Sequence, residues 1–232
     1  MKKIIQSITV LSLLLLFTSL FVSEVHAQET RELDTFTGIG ISISADVYYT
    51  PGDKHEIKIE GNSKDVEDLI TRVENGMLKM KYEDWRIKRS KLTIYITSKE
   101  LDRVSLSGSG KFYSDQSIDV EEMSLAVSGS GNINFSSLKA EEVDVKISGS
   151  GDVLIDKGGA EELDVKISGS GKVIAEAFEI SEFSAAISGS GSCKITVIDE
   201  LEARISGSGS IYYHGDPQIN STSSGSGKVR SF

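Results

Sequence analysis

Serine and glycine, the residues that supply nucleophiles and ion-binding turns, recur in a fixed pattern through the second half of this chain. The tetrapeptide Ser-Gly-Ser-Gly occurs seven times, beginning at Ser107, Ser128, Ser148, Ser168, Ser188, Ser206 and Ser224. Three kinds of chemistry use such residues: nucleophilic catalysis, calcium binding by Gly-rich repeats, and phosphate binding by backbone N–H groups. Each requires further residues at fixed positions, so the neighbours of the tetrapeptide decide between them.

The residue that follows each tetrapeptide argues against a metal or phosphate site. Calcium-binding repeats need an aspartate after the glycines of every turn, and only one copy has it. No copy has the Gly-x-x-x-x-Gly-Lys-Ser/Thr pattern of a phosphate-binding loop. The positions in question hold Lys111, Asn132, Asp152, Lys172, Ser192, Ser210 and Lys228. We therefore expect no metal site and no cofactor.

A catalytic serine would need a base, and the sequence offers few. After residue 27 the chain contains two histidines, His55 and His214, and no nucleophile elbow in strand-to-helix surroundings. Asp144 and Asp164 occupy equivalent positions in successive repeats, each followed two residues later by a lysine. This pattern predicts salt-bridged surface ladders rather than the acid and base of a glycosidase. We expect no catalytic residues.

The spacing of the copies, between 18 and 21 residues, is typical of a solenoid in which each repeat is one coil. Apolar and polar residues alternate on both sides of the tetrapeptide, which indicates half-buried strands. We predict an all-β fold, a single right-handed parallel β-solenoid with coils of about 20 residues and Ser-Gly-Ser-Gly corners. The glycines would supply positive φ, and the serines would hydrogen-bond along the stack or present a hydroxyl ladder to a ligand.

The inward positions of the predicted coils are consistently apolar until the last copy. One column reads Leu106, Val127, Ile147, Ile167, Ile187 and Ile205, and Cys193 falls in an inward column of the following strand. Cys193 is the only cysteine, so we expect it to be a core residue without a redox role or a disulfide. The seventh copy places Ser221, Ser223 and Ser231 at inward positions, which predicts a polar terminal coil that shields the end of the stack.

The first residues have the pattern of a secretory signal peptide. Lys2 and Lys3 precede an apolar run over residues 8–16, and Val25-His26-Ala27 offers a cleavage site after Ala27. We predict a signal peptide over residues 1–27 and a solenoid domain over 28–232, with no transmembrane segment in the mature chain. The net charge of the whole chain is −10, and this acidic balance argues against nucleic acid and anionic membranes as partners.

The part before the first tetrapeptide, residues 33–106, contains the signals of opening strands that lead into the regular coils of 107–232. Residues 39–47 form an alternating run, 55–60 another, and 65–71 a possible helical turn. Asn75-Gly76 lies between apolar segments and predicts a β-hairpin. We expect these strands to form the first layers of the same body.

One loop stands out as a candidate partner contact, because aromatic residues and arginines dominate interface energetics. Its aromatic and basic residues are Tyr82, Trp85, Arg86, Lys88 and Arg89. The alternative interpretation of this segment is an ordinary solvated hairpin tip.

The combination of these motifs resembles the auto-transporter adhesin "head GIN" domains, a family of exported β-solenoid proteins common in Bacteroidetes. The resemblance covers essentially all of the mature chain and is carried by residues 36–39, 47–52, 75–80, the serial Ser-Gly-Ser-Gly coils and 211–217. It implies a pectin-lyase-like solenoid without a recognised catalytic set and adhesion as the role.

We therefore predict a non-catalytic, exported binding or adhesion-type module at the bacterial cell envelope, in the periplasm or at the cell surface. Its partner would be an envelope protein or a glycan. Two other functions stay open at this point. One is a structural or stress-related accessory protein of the envelope, and the other is a polysaccharide-active enzyme built on the solenoid.

Overall fold

Parallel coils that stack in register form nearly all of the computed structural model, which describes residues 26–84 and 86–232. The fold is a β-solenoid of about 6 turns, as the sequence predicts. The predicted signal peptide lies outside the described residues except for its last two, His26 and Ala27, which belong to the first strand. No helix in the described part of the chain is long and apolar enough to span a membrane.

The opening part contains seven strands: β1 (His26–Glu32), β2 (Gly38–Ile41), β3 (Ala45–Pro51), β4 (Glu56–Asn62), β5 (Ile70–Glu74), β6 (Met77–Lys81) and β7 (Leu92–Ser98). A short helix, α1 (Ser63–Glu67), lies between β4 and β5. The later coils contain β8 (Arg103–Gly108), β9 (Lys111–Asp119), β10 (Glu122–Gly129), β11 (Asn132–Gly149), β12 (Asp152–Ile155), β13 (Gly158–Gly169), β14 (Lys172–Gly189), β15 (Ser192–Gly207), β16 (Ser210–His214), β17 (Gln218–Gly225) and β18 (Lys228–Ser231).

Each regular coil has three sides, which we name by their relation to the tetrapeptide. Side A holds the residues before it, side B the residues after it, and side C the return segment. The long strand β11 contributes to all three sides: residues 132–135 pair on side B, 138–140 on side C, and 142–149 on side A. Side chains on each side alternate between the interior and solvent, so every outward position becomes a column of equivalent residues along the stack.

The predicted corners are confirmed, and the two glycines of each tetrapeptide have different tasks. Gly189 has φ 119°, and a Cβ there would lie 2.5 Å from the carbonyl oxygen of Gly169 in the coil below. At Gly191 a Cβ would lie 2.6 Å from Cγ2 of Ile167 and 2.8 Å from the oxygen of Gly171. The first glycine supplies a left-handed turn, and the second allows the backbone to lie against the core.

The serines of the corners do not bond as we predicted. The backbone N–H of the second serine donates to a glycine carbonyl of the coil below, as in Ser190 to Gly169 at 2.8 Å and Ser150 to Gly129 at 2.8 Å. Within residues 26–84 and 86–232, no tetrapeptide serine makes a hydrogen bond through its hydroxyl. The expectation of a bonded hydroxyl ladder is therefore wrong, because the backbone already satisfies the corner and leaves the hydroxyls free.

The inward columns form one continuous apolar core. Val127, Ile147, Ile167 and Ile187 stack in register, and none is more than 2% exposed. Cys193 is fully buried in the next strand, which confirms its predicted place in the core. Burial of each large apolar side chain is worth about 1.5–3 kcal/mol, so these columns are the main source of stability.

The opening layers do not stack in chain order. Strands β2 and β3 lie between two later layers: β2 pairs with β6 and β8, and β3 pairs with β7 and β9, all in parallel. Antiparallel strands close this end, with β4 on β7, β1 on β4, and β5 on β6. The predicted hairpin is confirmed, since Asn75 and Gly76 both have positive φ, 53° and 72°.

The alternating run over residues 39–47 is two strands rather than one. Ile41 pairs with Leu106 and Asp46 pairs with Lys111, so residues 42–45 occupy the place of a Ser-Gly-Ser-Gly corner. The sequence there is Ser-Ile-Ser-Ala, without glycine, and none of these residues has positive φ. The run continues to alternate through the corner, and for that reason its pattern predicted an unbroken strand.

Candidate binding face

Three tyrosines stack on the solvent side of side B. Tyr95, Tyr48 and Tyr113 are register partners in β7, β3 and β9. The ring centroids of Tyr48 and Tyr95 are 5.5 Å apart with an interplanar angle of 22°, and those of Tyr48 and Tyr113 are 5.2 Å apart with an angle of 15°. Because its neighbours cover both faces of the Tyr48 ring, this stack presents ring edges and hydroxyl groups to the outside.

The hydroxyls of the three tyrosines are available for a ligand. None of them has a hydrogen-bond partner among the described residues, and none of these hydroxyl oxygens is fully buried. Tyr95 is 41% exposed, whereas Tyr48 and Tyr113 are half-buried by their neighbours. Partial desolvation, with the nearby carboxylate of Asp46 as a second cause, raises the pKa of Tyr48, so that its phenol stays neutral and able to donate a hydrogen bond.

The stack belongs to a longer row that we call the tyrosine column. It continues through the outward residues of the later coils: Asn134, Leu154, Ile174, Lys194, Tyr212 and Arg230. At the far end Phe232 lies 6.3 Å from Tyr212 between ring centroids. At a strand spacing of about 4.8 Å the column is about 40 Å long. Side B therefore carries a row of half-buried or exposed side chains that is mostly aromatic and aliphatic and is interrupted by Asn134, Lys194 and Arg230.

A second outward row, the lysine column, lies between the tyrosine column and the serine corners. It comprises Asp46, Lys111, Asn132, Asp152, Lys172, Ser192, Ser210 and Lys228. The acidic and amide members are used within the protein: Lys91 pairs with Asp46 at 2.7 Å, and Asp152 Oδ1 accepts a hydrogen bond from the backbone of Lys172 at 3.0 Å. In the described part of the chain, the ammonium groups of this column have no carboxylate within 4 Å.

At the corner between sides C and A lies an acidic ladder that sequence reasoning did not single out as a feature of its own. Its members are register partners in successive coils: Glu122, Glu142, Glu162, Glu182 and Glu200. Burial and the adjacent carboxylates raise the pKa of Glu162. No group of residues in the described ranges has an arrangement that would hold a metal ion. The ladder is a source of repulsion and negative potential along this corner.

The predicted ladders of side A are present in register, but among the described residues only one of their two Asp–Lys pairs is a salt bridge. Asp144 and Asp164 are register partners, as are Lys146 and Lys166, and Lys146 Nζ lies 3.4 Å from Asp144 Oδ2. This pair lies at the surface, so it contributes about 0–1 kcal/mol. The ladders balance charge along the strands and do not form a separate site.

The structure divides the predicted partner loop into internal and exposed residues. Arg89 is 12% exposed and pairs with Asp65 at 3.2 Å and Asp68 at 2.5 Å, which ties the loop to α1. Its guanidinium lies 4.6 Å from the ring centroid of Tyr82. Burial, with the charge of Asp65 as a further cause, raises the pKa of Tyr82 to about 12. Arg89 and Tyr82 thus hold the loop in place.

The other residues of that loop point outward. Arg86 is exposed and pairs with Asp84 at 3.1 Å, and Lys88 is exposed as well. Trp85 lies outside the described residues. Among the described residues, neither Arg86 nor Lys88 contacts the tyrosine stack.

The tyrosine stack was missed because its members come from three distant segments of the chain. A local signal exists: each tyrosine directly follows a buried residue of side B, in Val47-Tyr48, Ile94-Tyr95 and Phe112-Tyr113. Alignment of the opening strands on the later coils would have placed the three rings in one column. The two histidines that follow residue 27 lie near opposite ends of the stack, His55 against Phe36 and His214 against Phe232.

Coils stacked in parallel, with glycine corners and outward side-chain columns, define a β-solenoid repeat protein. Residues 35–217 match the model of the family described as "Putative auto-transporter adhesin, head GIN domain". The chain belongs to this family, as the motifs of its sequence predict. No curated protein has a significant match to it.

Three crystal structures show the same fold. A putative adhesin from Bacteroides fragilis has a TM-score of 0.83 and 23% identity, covering 90% of this chain and 98% of the other. A protein from Parabacteroides distasonis, described as a putative lipid binding protein, has a TM-score of 0.75 and 22% identity over 90% and 98% of the two chains. A putative adhesin from Parabacteroides merdae has a TM-score of 0.74 and 22% identity over 90% and 97%. At these identities the likeness concerns the fold.

Proposed function

We propose that this protein is a non-catalytic, exported binding module of adhesion type, which acts in the periplasm or at the cell surface. Its contact surface is the face formed by the tyrosine and lysine columns. The observation that carries this proposal is the stack of Tyr95, Tyr48 and Tyr113 on the solvent side of side B. Stacked tyrosines offer large, rigid contact area at a small cost in side-chain entropy.

The shape of this face supports binding rather than catalysis. The columns are about 40 Å long, which suits an extended partner. An enzyme acting on polysaccharides would need a cleft with an acid and a base in different environments. The depression of 640 Å³ beside Asp102, Glu122 and Glu142 lies away from the tyrosine and lysine columns.

Adhesion of beads that carry residues 28–232 to whole bacterial cells and to lipid vesicles tests the proposal. The double variant Tyr48→Ala, Tyr113→Ala removes two rings of the stack and is expected to abolish most of the retention on cells. Ile198→Ser is the matched control, because Ile198 is an exposed apolar residue, 48% accessible, outside the tyrosine column. Retention that the tyrosine variant does not reduce, or that Ile198→Ser reduces equally, would contradict the proposed face. Vesicle binding that depends on the same tyrosines would favour a lipid surface as the partner.

A further inference from the structure

We infer that the ligand of this face is an acidic polysaccharide, which lies along the stack over the lysine column between the tyrosines and the serine corners. The inference rests on the proposed function and names the ligand class for the same surface. Three features of side B point to it: free hydroxyl groups, cations without partners, and an acidic border on one edge.

The free hydroxyl groups favour a polyhydroxylated ligand. The phenols of Tyr95, Tyr48 and Tyr113 have no partner, and neither do the tetrapeptide serines of the described coils. Hydroxyls can both donate and accept, which matches the alcohol groups of a sugar chain. The central ring, Tyr48, offers only its edge, since Tyr113 and Tyr95 cover its two faces at 5.2 and 5.5 Å, and each outer ring has one face against it. A single-stranded nucleic acid, which needs open ring faces for base stacking, fits this stack poorly.

The unpartnered cations favour a negatively charged sugar chain. Lys111, Lys172 and Lys228 of the lysine column, and Arg230 beside them, lie on one face without a carboxylate within 4 Å among the described residues. The same column also holds Asp46 and Asp152, which are engaged by Lys91 and by the backbone N–H of Lys172, so its three lysines and two aspartates give a formal charge of +1 in a chain whose net charge is −10. Charges further apart than about 8 Å are screened at physiological salt, so the local columns decide what binds.

Two further lysines border the tyrosines in weaker pairs. Lys58 lies 5.2 Å from the ring centroid of Tyr95 and pairs with Glu60 at 2.7 Å, and Lys194 pairs with Glu176 at 3.2 Å. The Lys194 pair is exposed and the Lys58 pair is half-exposed, and surface pairs of this kind are weak enough to exchange for a ligand carboxylate. They add cations beside Tyr95 and in the later part of the tyrosine column.

The acidic border fixes the lateral position of the ligand. On the side of the tyrosine column away from the serines lie the exposed carboxylates of Asp115, Asp156 and Glu176. A polyanion is repelled from this edge and attracted by the lysines on the other. The favoured path therefore runs over the lysine column, with the tyrosine hydroxyls on one side and the serine hydroxyls on the other.

Titration calorimetry of residues 28–232 with four defined polymers tests the inference. The probes are polygalacturonate, the neutral polysaccharide dextran, poly-glutamate, and a single-stranded oligo-thymidine. We expect binding of polygalacturonate that weakens as ionic strength rises, and much weaker binding of the other three. The double variant Lys111→Ala, Lys172→Ala should raise the Kd for polygalacturonate about 10-fold. Lys166→Ala, an exposed lysine of side A, should leave it unchanged.

A second variant separates the hydroxyls from the packing of the rings. Tyr48→Phe, Tyr113→Phe keeps the stack, so its thermal unfolding should match the parent, while its Kd for polygalacturonate should rise several-fold. Poly-glutamate binding as tight as that of polygalacturonate would overturn the inference in favour of charge alone, and equally tight oligo-thymidine binding would overturn it in favour of nucleic acid. Dextran binding as tight as that of polygalacturonate would show that the cations play no role. Absence of polygalacturonate binding also overturns it. If tyrosine-dependent adhesion to cells persists in that case, the proposed function stands and only the ligand class is wrong.

Discussion

Gly169 lies directly above Gly149 in the stack, and a Cβ on Gly169 would overlap the carbonyl oxygen of Gly149. Gly169 also has φ 126°, a conformation that side chains with a Cβ rarely adopt. Two independent costs therefore meet at this corner, the backbone strain and the collision between coils. The same relationship repeats at the corners above and below it.

The first prediction follows from this overlap. Gly169→Val should destabilise the protein by more than the roughly 1–3 kcal/mol expected for backbone strain alone, because the coils must also separate. Gly108→Val isolates the strain, since Gly108 has φ 111° but no atom within 4 Å of the added Cβ. Gly40→Ala, with its nearest atom at 3.6 Å and an ordinary φ, should have little effect. Urea unfolding measures all three, and equal losses for Gly169→Val and Gly108→Val would refute the collision between coils.

The second prediction concerns Cys193. Complete burial raises the pKa of its thiol to about 12, so almost no thiolate forms near neutral pH. A thiol reagent should label the native protein only at the rate of unfolding and the denatured protein at once, as mass spectrometry would show. Rapid labelling of the native state would mean that the register of β15 is shifted by one residue.

The third prediction uses the acidic ladder. The folded-state pKa of Glu162 is raised, so its ionisation opposes folding: the stabilising effect of the neutral form is complete below the ordinary value of 4.5 and is lost as pH rises through the raised pKa. Glu162→Gln should therefore raise the Tm at neutral pH, and the gain over the parent should shrink in acid. Added salt should narrow the gain as well, because it screens the repulsion between neighbouring carboxylates.

Glu83→Gln is the matched control for that change, since Glu83 is an exposed carboxylate in the loop after β6. It should leave the Tm unchanged at both pH values. A Glu162→Gln variant that is less stable than the parent at neutral pH would show that the ladder is stabilised by a bound cation or by another compensating contact.

The fourth prediction concerns the terminal coil. In β17 every residue is exposed, and Ser221 and Ser223 stack on Ala203 and Ile205 of the preceding coil. Deletion of residues 218–232 should expose the apolar columns that β17 now covers and cause self-association. Light scattering at matched protein concentration is the measurement. The deletion of residues 28–32, which removes the rest of β1 from the opposite end, serves as the comparison. A 218–232 deletion that stays monodisperse would place the cap elsewhere.

The regular coils could be predicted from the sequence because each of them repeats the same local sequence pattern. A tetrapeptide corner and apolar inward residues such as Ile147 and Ile167 recur at nearly constant spacing. The opening layers lack that redundancy: the corner at residues 42–45 has no glycine, and local alternation carries no information on which strand stacks on which. The tyrosine column depends on that stacking, so it could be predicted only after the layers were placed.

The position of β2 and β3 between β6–β7 and β8–β9 has a consequence for how the chain reaches this structure. During synthesis the first pair of strands has no parallel neighbour until residues 77–98 have emerged, and it is enclosed only after residues 103–114 follow. Contacts over such sequence distances slow folding, because the intervening loop must close before it is stabilised. The opening strands therefore wait longer between their synthesis and their pairing than the later strands do. Each later coil needs only the coil made before it. The strand order thus delays closure of the opening layers until residues 103–114 are available.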